Sequence, residues 1–351
     1  MKIQAMIKKM AAMCLVALLC LTTVTGCGTN TKIVITTGLS GSQIFKIGSS
    51  VCTRSEIMVY LTTFYRQFAS AYGTEMWNYD FGGTSLEDHV KDIVLSKMVQ
   101  IKIMNMMAAD RKLSLSEEEE EMAVAATDKY YQILSESLKR EEKITREVVL
   151  KVYREYMLAV KVYRSITQSA EIEISDDEAR TVTAQVLYLK NWKMKNNEKV
   201  PMSETELKNV ENAAKKVLSQ IREGGDFEEL ALQYSDTKQI RNSYARGSVD
   251  PAFEELIFSL NTGEISDVVA LEDGYYIVKC ISTMDYEATQ QNKLMLAKKK
   301  KEEAFEQAYK EVAVDAPEQF QKKQWAKLRL KEEIHYTEAD FFEIYHEMIR
   351  Q

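Results

Sequence analysis

Apolar residues recur every three or four positions along much of this chain. Leu86, Val90, Ile93, Val94, Met98, Ile101 and Met104 do so most clearly, and that spacing lines one face of an α-helix. The pattern predicts helices at about 53–72, 85–110, 116–138 and 145–168, and a charged amphipathic helix from Tyr286 to about Val314. Their starts carry capping chemistry. Thr53 stands three residues before Glu56, and Leu115-Ser116-Glu117-Glu118-Glu119 is echoed by Ile174-Ser175-Asp176-Asp177-Glu178. In each, a side-chain oxygen can accept from the orphan amides of a first turn, and acids sit on its positive end. The acidic run from Glu117 to Glu121 therefore reads as a solvated first turn rather than a metal site.

Elsewhere the period shortens to two. Ile44-Phe45-Lys46-Ile47-Gly48 and Val51-Cys52-Thr53 predict a small hairpin that feeds the first helix. Longer strands are predicted over Thr183–Leu189 and within Asp273-Gly274-Tyr275-Tyr276-Ile277-Val278-Lys279. Pro317 stops the long charged helix. Phe320, Trp325, Leu328 and Leu330 predict a packed connection, and Thr337 is placed to cap a final helix with Phe341, Phe342, Ile344 and Tyr345.

A chain of 351 residues has room for two or three domains. With 13 Gly and 3 Pro, long flexible linkers are disfavoured. A formal charge of −7 argues against nucleic acid as a partner, which needs clustered positive charge. No GxxxxGK[ST] loop, CxxC pair, HExxH or GxSxG occurs, so no cofactor and no metal are expected. His89, His335 and His346 each read as ordinary helix or surface residues. Lys298 to Lys301 read as a solvated helix face in preference to a lipid contact. Most of the 17 methionines fall at core periodicity, although an adaptable client surface would also use them.

The N-terminus reads as a targeting segment. Lys2, Lys8 and Lys9 precede an uncharged apolar stretch, Met10 to Val24, too short for a comfortable membrane span. It ends Val24-Thr25-Gly26-Cys27, which resembles the lipobox of bacterial lipoproteins, with Cys27 the lipidated residue. Removing 1–26 takes three lysines and no acid. The remaining chain is then more acidic still and is repelled by an anionic leaflet, so anchoring falls to the lipid. Residues 28–43 read as a tether. Cys52 and Cys280 would remain. They are expected to be small buried apolar groups, with pairing in an oxidising compartment as the alternative.

Residues 183–281 carry five blocks in a meaningful order. They are the strand Gln185-Val186-Leu187, the corner Gly224-Gly225-Asp226-Phe227-Glu228-Glu229-Leu230-Ala231, the helix Phe253-Glu254-Glu255-Leu256-Ile257-Phe258-Ser259-Leu260, Gly263-Glu264-Ile265-Ser266, and the strand Gly274-Tyr275-Tyr276-Ile277-Val278. The order resembles the parvulin family of peptidyl-prolyl isomerases. That family sets two facing histidines, a Cys or Asp, and a Ser or Thr around a twisted prolyl amide. The resemblance puts Gln185, Tyr276, Ile240 and Leu271 at those places. It also implies a proline pocket with Phe253, with Val249 at the family's methionine position, and with Arg246-Gly247 and Pro251 in the adjoining loop. Groove and plain core are both open readings of these residues.

The layout as a whole resembles the extracytoplasmic foldases of the PrsA and SurA type. It implies an α+β fold: a helical chaperone domain built from N- and C-terminal segments, with a small parvulin-like α/β domain inserted. The divisions expected are 1–26 signal peptide, 27–43 tether, 44–178 helical, 179–284 parvulin-like, and 285–351 helical return. The implied function is a lipid-anchored folding factor on the extracytoplasmic face of a bacterial membrane. Its partners would be unfolded or newly translocated polypeptides. Peptide-binding candidates are Gln185, Val249, Phe253, Leu271 and Tyr276. Two rivals remain: an active prolyl isomerase using Gln185 and Tyr276, and a solute-binding lipoprotein, which needs two α/β lobes where the sequence offers one.

Overall fold

The computed structural model describes residues 39, 41–73, 77, 79–80, 82–315, 318–329 and 340–350. The expected signal peptide, Cys27, Pro317, Leu330, His335 and Thr337 lie outside the described residues. The chain divides into two compact units, one formed by 1–170 with 301–351 and the other by 171–300. The fold is α+β, a helical unit made from both ends of the chain with an α/β unit inserted.

The helical unit opens with strands β1 (Gln43–Ile47) and β2 (Ser50–Thr53), then helices α1 (Arg54–Tyr72), α2 (Leu86–Asp110), α3 (Glu117–Ile133), α4 (Glu136–Glu141) and α5 (Arg146–Ser169). Leu39 is buried, and the Ser42 carbonyl accepts from the Arg54 amide at 2.8 Å, so part of the stretch read as tether already belongs to the fold. Thr53 caps α1 with its hydroxyl, and Glu56 returns the bond to the Thr53 amide, as the spacing predicts. Ser116 and Glu119 do the same for α3. The helix predicted at 116–138 is two helices. Leu134 turns extended and is buried, and the Ser135 hydroxyl caps α4, where a serine accepts amides more readily than it continues a helix.

The C-terminal segments complete this unit. β9 (Glu318–Phe320) pairs with β1, Phe45 opposite Phe320, giving the order β2-β1-β9. A final helix, α12 (Phe341–Met348), is capped by Asp340. Phe341 is fully buried, stacked on Tyr153 at 4.1 Å and flanked by Tyr156 and Tyr60. Its amide donates to Thr63 at 3.2 Å, and its carbonyl accepts from the Tyr153 hydroxyl at 3.1 Å. Lys102 is also buried here, between Glu56 at 2.9 Å and Glu155 at 2.6 Å. Cys52 is a buried free thiol of the same core.

The inserted unit begins with a single turn, α6 (Asp176–Ala179), and the strand β3 (Thr181–Lys190). A separate hairpin follows, β4 (Trp192–Lys195) and β5 (Glu198–Pro201), turned by Asn196 and Asn197, both at positive φ. Then come α7 (Glu204–Arg222), α8 (Phe227–Tyr234), β6 (Arg241–Ala245), α9 (Pro251–Ser259), β7 (Val269–Leu271), β8 (Gly274–Ser282) and α10 (Tyr286–Asp315), the last running across the division between units. Its sheet is antiparallel, in the order β6-β3-β8-β7. Between β9 and α12 lies one further short helix, α11 (Lys322–Ala326).

The corner from Gly224 to Ala231 is a packing device. A Cβ on Gly225 would meet the Gln220 carbonyl at 2.8 Å, Asp226 caps α8 through the Glu229 amide, and Phe227 and Ala231 are buried. Gly274 is equally constrained, since a Cβ would come within 2.4 Å of the Leu189 carbonyl. The Ser266 hydroxyl accepts from the Val278 amide at 2.9 Å, tying that block to β8.

Both faces of the sheet are covered. Leu187, Leu189 and Ile277 pack with Val217, Ile221 and Phe227 of α7 and α8. Val182, Ala184, Val186, Val278 and the free thiol Cys280 pack with Ile257 of α9 and with Leu260. A strand buried on both faces reads as a near-continuous apolar run, and β3 does so from Val186 to Leu189, while its first half also buries Thr181, Thr183 and Gln185.

Candidate functional site

Side chains alternate along a strand, and that alternation decides which of the expected site residues meet. Tyr276 pairs across from Tyr188, so both stand on the α9 face of the sheet. Asn242 and Tyr244 join them from β6, opposite Ala184 and Val182. Phe253 reaches the same face from the first turn of α9. The result is a continuous row of half-buried rings. Tyr244 lies 5.6 Å from Phe253, Phe253 lies 4.8 Å from Tyr276, and Tyr276 lies 5.0 Å from Tyr188. Leu271 belongs to this face through β7, where Val269 pairs directly with Tyr276.

Gln185 does not reach it. It shares the opposite face with Leu187 and Leu189, is buried, and donates to Glu228 of α8 at 2.7 Å. Gln185 and Tyr276 therefore do not face one another across a groove. Ile240 is buried on the Gln185 side. Val249 lies in a third place, a hollow outside α9 that it lines with Arg246, Pro251 and Phe258. Of the five peptide-binding candidates, the structure brings Phe253 and Tyr276 into contact and sets Leu271 on the same face of the sheet, opposite Gly274.

The polar atoms around the ring row are mostly committed to the protein itself. The Tyr276 hydroxyl donates to Asp273, with oxygens at 2.9 and 3.0 Å. The Tyr188 hydroxyl donates to the Asp273 carbonyl at 2.9 Å and accepts from the Trp192 indole at 3.2 Å. Asn242 donates to the Tyr244 hydroxyl at 3.3 Å, and its own oxygen accepts from Gln239 at 2.6 Å. Burial raises the pKa of all three tyrosines, and for Tyr276 the Asp273 carboxylate adds to it. They are neutral phenols at any physiological pH. No histidine occurs between 171 and 300. His89 is exposed on α2, and His346 is half-buried on α12 beside Tyr345.

This arrangement offers flat apolar surface with a few fixed dipoles at its rim, which suits an extended or proline-bearing segment. Among the described residues no group of three or more His, Cys, Asp and Glu side chains could hold a metal. Sequence reading missed Tyr188, Tyr244, Asn242 and the Trp192 hairpin. Tyr188 had one available signal, its even spacing from Val186 and Ala184. The hairpin had another, Asn196-Asn197 between two short β-prone runs.

The family model of the PPIC-type PPIASE domain, a rotamase, matches residues 193–282. The match begins after β3, so it leaves out the strand that carries Gln185 and Tyr188. The foldase protein PrsA of Caldanaerobacter subterraneus subsp. tengcongensis is 26% identical over 249 residues, 69% of this chain and 74% of that protein. The chain resembles the PrsA foldases. The PrsA of Oceanobacillus iheyensis is 29% identical over 55% of this chain and 60% of its own length. PrsA 2 of Listeria innocua is 38% identical over 86 residues, 22% of this chain and 28% of that protein. Among solved structures, PrsA of Bacillus cereus aligns with 90% of this chain and 97% of its own at 16% identity and a TM-score of 0.35. By resemblance, the inserted unit is of the peptidyl-prolyl isomerase class. No helix among the described residues is long and apolar enough to cross a membrane.

Proposed function

We propose that this chain is a folding factor of the PrsA kind, held on the extracytoplasmic face of a bacterial membrane by lipid on Cys27. Its working parts are the helical unit for chaperone work and the inserted unit of 171–300 for the parvulin-like part, which runs wider at both ends than the 179–284 expected from the sequence. It binds unfolded or newly translocated polypeptides without cofactor or nucleic acid. The inserted unit acts mainly as a second binding surface, centred on Phe253, Tyr276 and Leu271.

One observation carries this reading. The rings of Tyr188, Tyr244, Phe253 and Tyr276 form a row whose Tyr188 and Tyr276 hydroxyls are spent on Asp273. Rotation about a prolyl bond crosses a barrier of about 18–20 kcal/mol. A catalyst must favour the twisted amide over the planar one, because equal binding of both gives no acceleration. Rings bind both forms. Hydroxyl protons already donated to Asp273 are not available to the twisted amide. The name of the relatives, foldase, supports client binding as the shared activity.

The test is a pair of assays on the full chain in detergent. Suppressed aggregation of an unfolded client, with little or no acceleration in a protease-coupled prolyl peptide assay, is the expected result. Acceleration equal to that of an intact parvulin would overturn it.

A further inference from the structure

The hollow outside α9 has a volume of about 660 Å³ and is walled by Val249, Pro251 and Phe258 together with Arg180, Arg246 and Glu254. The Phe258 ring carries two guanidinium groups over it, Arg180 at 5.0 Å and Arg246 at 4.6 Å from its centre. Flat cations over a ring face are held by its quadrupole, so the two forks are positioned before any ligand arrives. Their acceptors among the described residues are poor. The Asp177 Oδ1 atom lies 3.5 Å from Arg180 Nε and 3.5 Å from Arg246 Nη2. Charge-assisted bonds run about 2.7–2.9 Å, so Asp177 spans the gap between the forks without bonding closely to either. Arg180 Nε is buried and has no hydrogen-bond acceptor among the described residues, and an unmet buried donor costs free energy.

We propose that this hollow binds a carboxylate of a client peptide between Arg180 and Arg246, with the residue next to it resting on Val249, Pro251 and Phe258. Asp177 marks where that carboxylate goes. It is a carboxylate of the chain itself, 76% exposed, spanning the two guanidiniums from the solvent side, and so exposed an ion pair is easily displaced. The local charges select among anions. Glu254 and Glu255 also line the hollow, and Glu254 accepts the Gly247 amide at 2.5 Å and lies 3.8 Å from Arg246. With these carboxylates alongside, a singly charged, planar group is favoured over a multiply charged one. Guanidinium forks match a carboxylate's two oxygens. The inference deepens the proposed client binding by naming a substrate class, an acidic residue beside an apolar one, and it rests on that reading.

The experiment uses the full chain in detergent and fluorescence anisotropy of labelled, amidated peptides that differ only by Glu or Gln beside a Leu. The Glu peptide is expected to bind about tenfold tighter than the Gln peptide, a gap of one decade in Kd. Arg246→Gln should erase the gap. Asp177→Asn should tighten the Glu peptide about threefold, because it removes an exposed competitor. A third peptide, with Gln and a free C-terminus, tells a side-chain carboxylate from a terminal one; tight binding of either kind supports the site. Equal affinity of all three peptides overturns the proposal. So does a Glu preference that survives Arg246→Gln. Because Arg246→Gln can disturb α9, Asp177→Asn tests the site from an exposed position, and unchanged affinity there also counts against it. Aggregation of a client poor in acidic residues is followed in parallel. Suppression without peptide discrimination sinks the arginine site alone; failure to suppress sinks the folding-factor reading.

Discussion

Two aromatic clusters of this protein use the same residue types for opposite ends. In the helical unit Phe341 sits among Tyr60, Tyr130, Tyr153, Tyr156 and Phe342, every ring buried. In the inserted unit Tyr188, Tyr244, Phe253 and Tyr276 touch one another at similar spacing, yet each keeps part of its surface in water. The first cluster gains its full hydrophobic free energy within the fold. The second leaves part of its own unrealised, which is what the proposed binding surface would use. Composition and ring spacing do not separate a closed core from a half-open ring row; the cover does. A terminal helix lies over the first cluster, while α9 covers only part of the second.

The sharpest way to break the comparison is to truncate one ring from each cluster. Phe341→Ala removes a side chain with no exposure and many ring partners, and it should cost about 3–5 kcal/mol. Chemical denaturation followed through the helical unit should show its transition at markedly lower denaturant. Phe253→Ala removes a half-buried ring and should cost about 1 kcal/mol, but it should weaken binding of a proline-containing peptide about tenfold. If both variants lose stability equally and peptide affinity is unchanged, the second cluster is plain core.

Much of this contrast was legible in the sequence, and the rest was hidden for a physical reason. Helical periodicity around Val90, Val94, Met98 and Ile101 survives into the structure because it is redundant: many positions must agree before a face is buried. Capping at Thr53 and Ser116 survives because it is local. The break at Ser135 was missed because a serine inside an apolar pattern is only a weak signal. In the sheet, face assignment hangs on a count of one. The pairing of β3 with β8 shifts register between Thr183 and Ala184, and one residue of slip moves a side chain to the other face. Motif order could place Gln185 on the first strand, but it could not say that the side chain turns to Glu228 rather than to Tyr276. Tyr188 was hidden for the opposite reason, since an isolated tyrosine in an apolar strand looks like core, and Tyr244 was hidden because its strand, Arg241-Asn242-Ser243-Tyr244-Ala245, is short and polar and carries no strand pattern.

The comparison sharpens when charge is added, because the helical unit also buries ions. Glu56 is 2% exposed and lies 2.9 Å from Lys102 and 2.8 Å from Lys151. Burial works to raise its pKa, but the two lysines prevail and hold it below the ordinary glutamate value of 4.5. A carboxyl lowered in the folded state contributes stability that is complete above its unfolded pKa and is lost as pH falls through the folded one. Protonation of Glu56 should therefore cost the helical unit stability as pH falls below about 4.5, offset in part by Glu155, the other carboxylate on Lys102, whose pKa burial raises. In Glu56→Gln the acid-side slope of denaturation midpoint against pH should be shallower than in the wild type, and equal slopes would remove Glu56 from the account. The ring row of the inserted unit should show no comparable limb, since its tyrosines are raised and stay neutral throughout that range.

The smallest effect expected is also the most telling about chemistry. Tyr276 occupies the place where the parvulin resemblance puts a catalytic histidine, and its hydroxyl donates to Asp273 at 2.9 Å. If the ring is there for contact area, Tyr276→Phe removes one oxygen at the rim and keeps the stacking with Tyr188 and Phe253. Peptide affinity should then stay within about twofold, since the net worth of one such hydrogen bond is about 1 kcal/mol and most of it is internal to the protein. Any prolyl rate enhancement the chain has should be equally unmoved, because a proton already given to Asp273 contributes equally to the planar and twisted amides. A tenfold loss of rate with affinity intact would show the opposite: that Tyr276 releases Asp273 and turns its hydroxyl to the amide when substrate is bound. The inserted unit would then be an isomerase that works with a phenol where the parvulin resemblance places an imidazole.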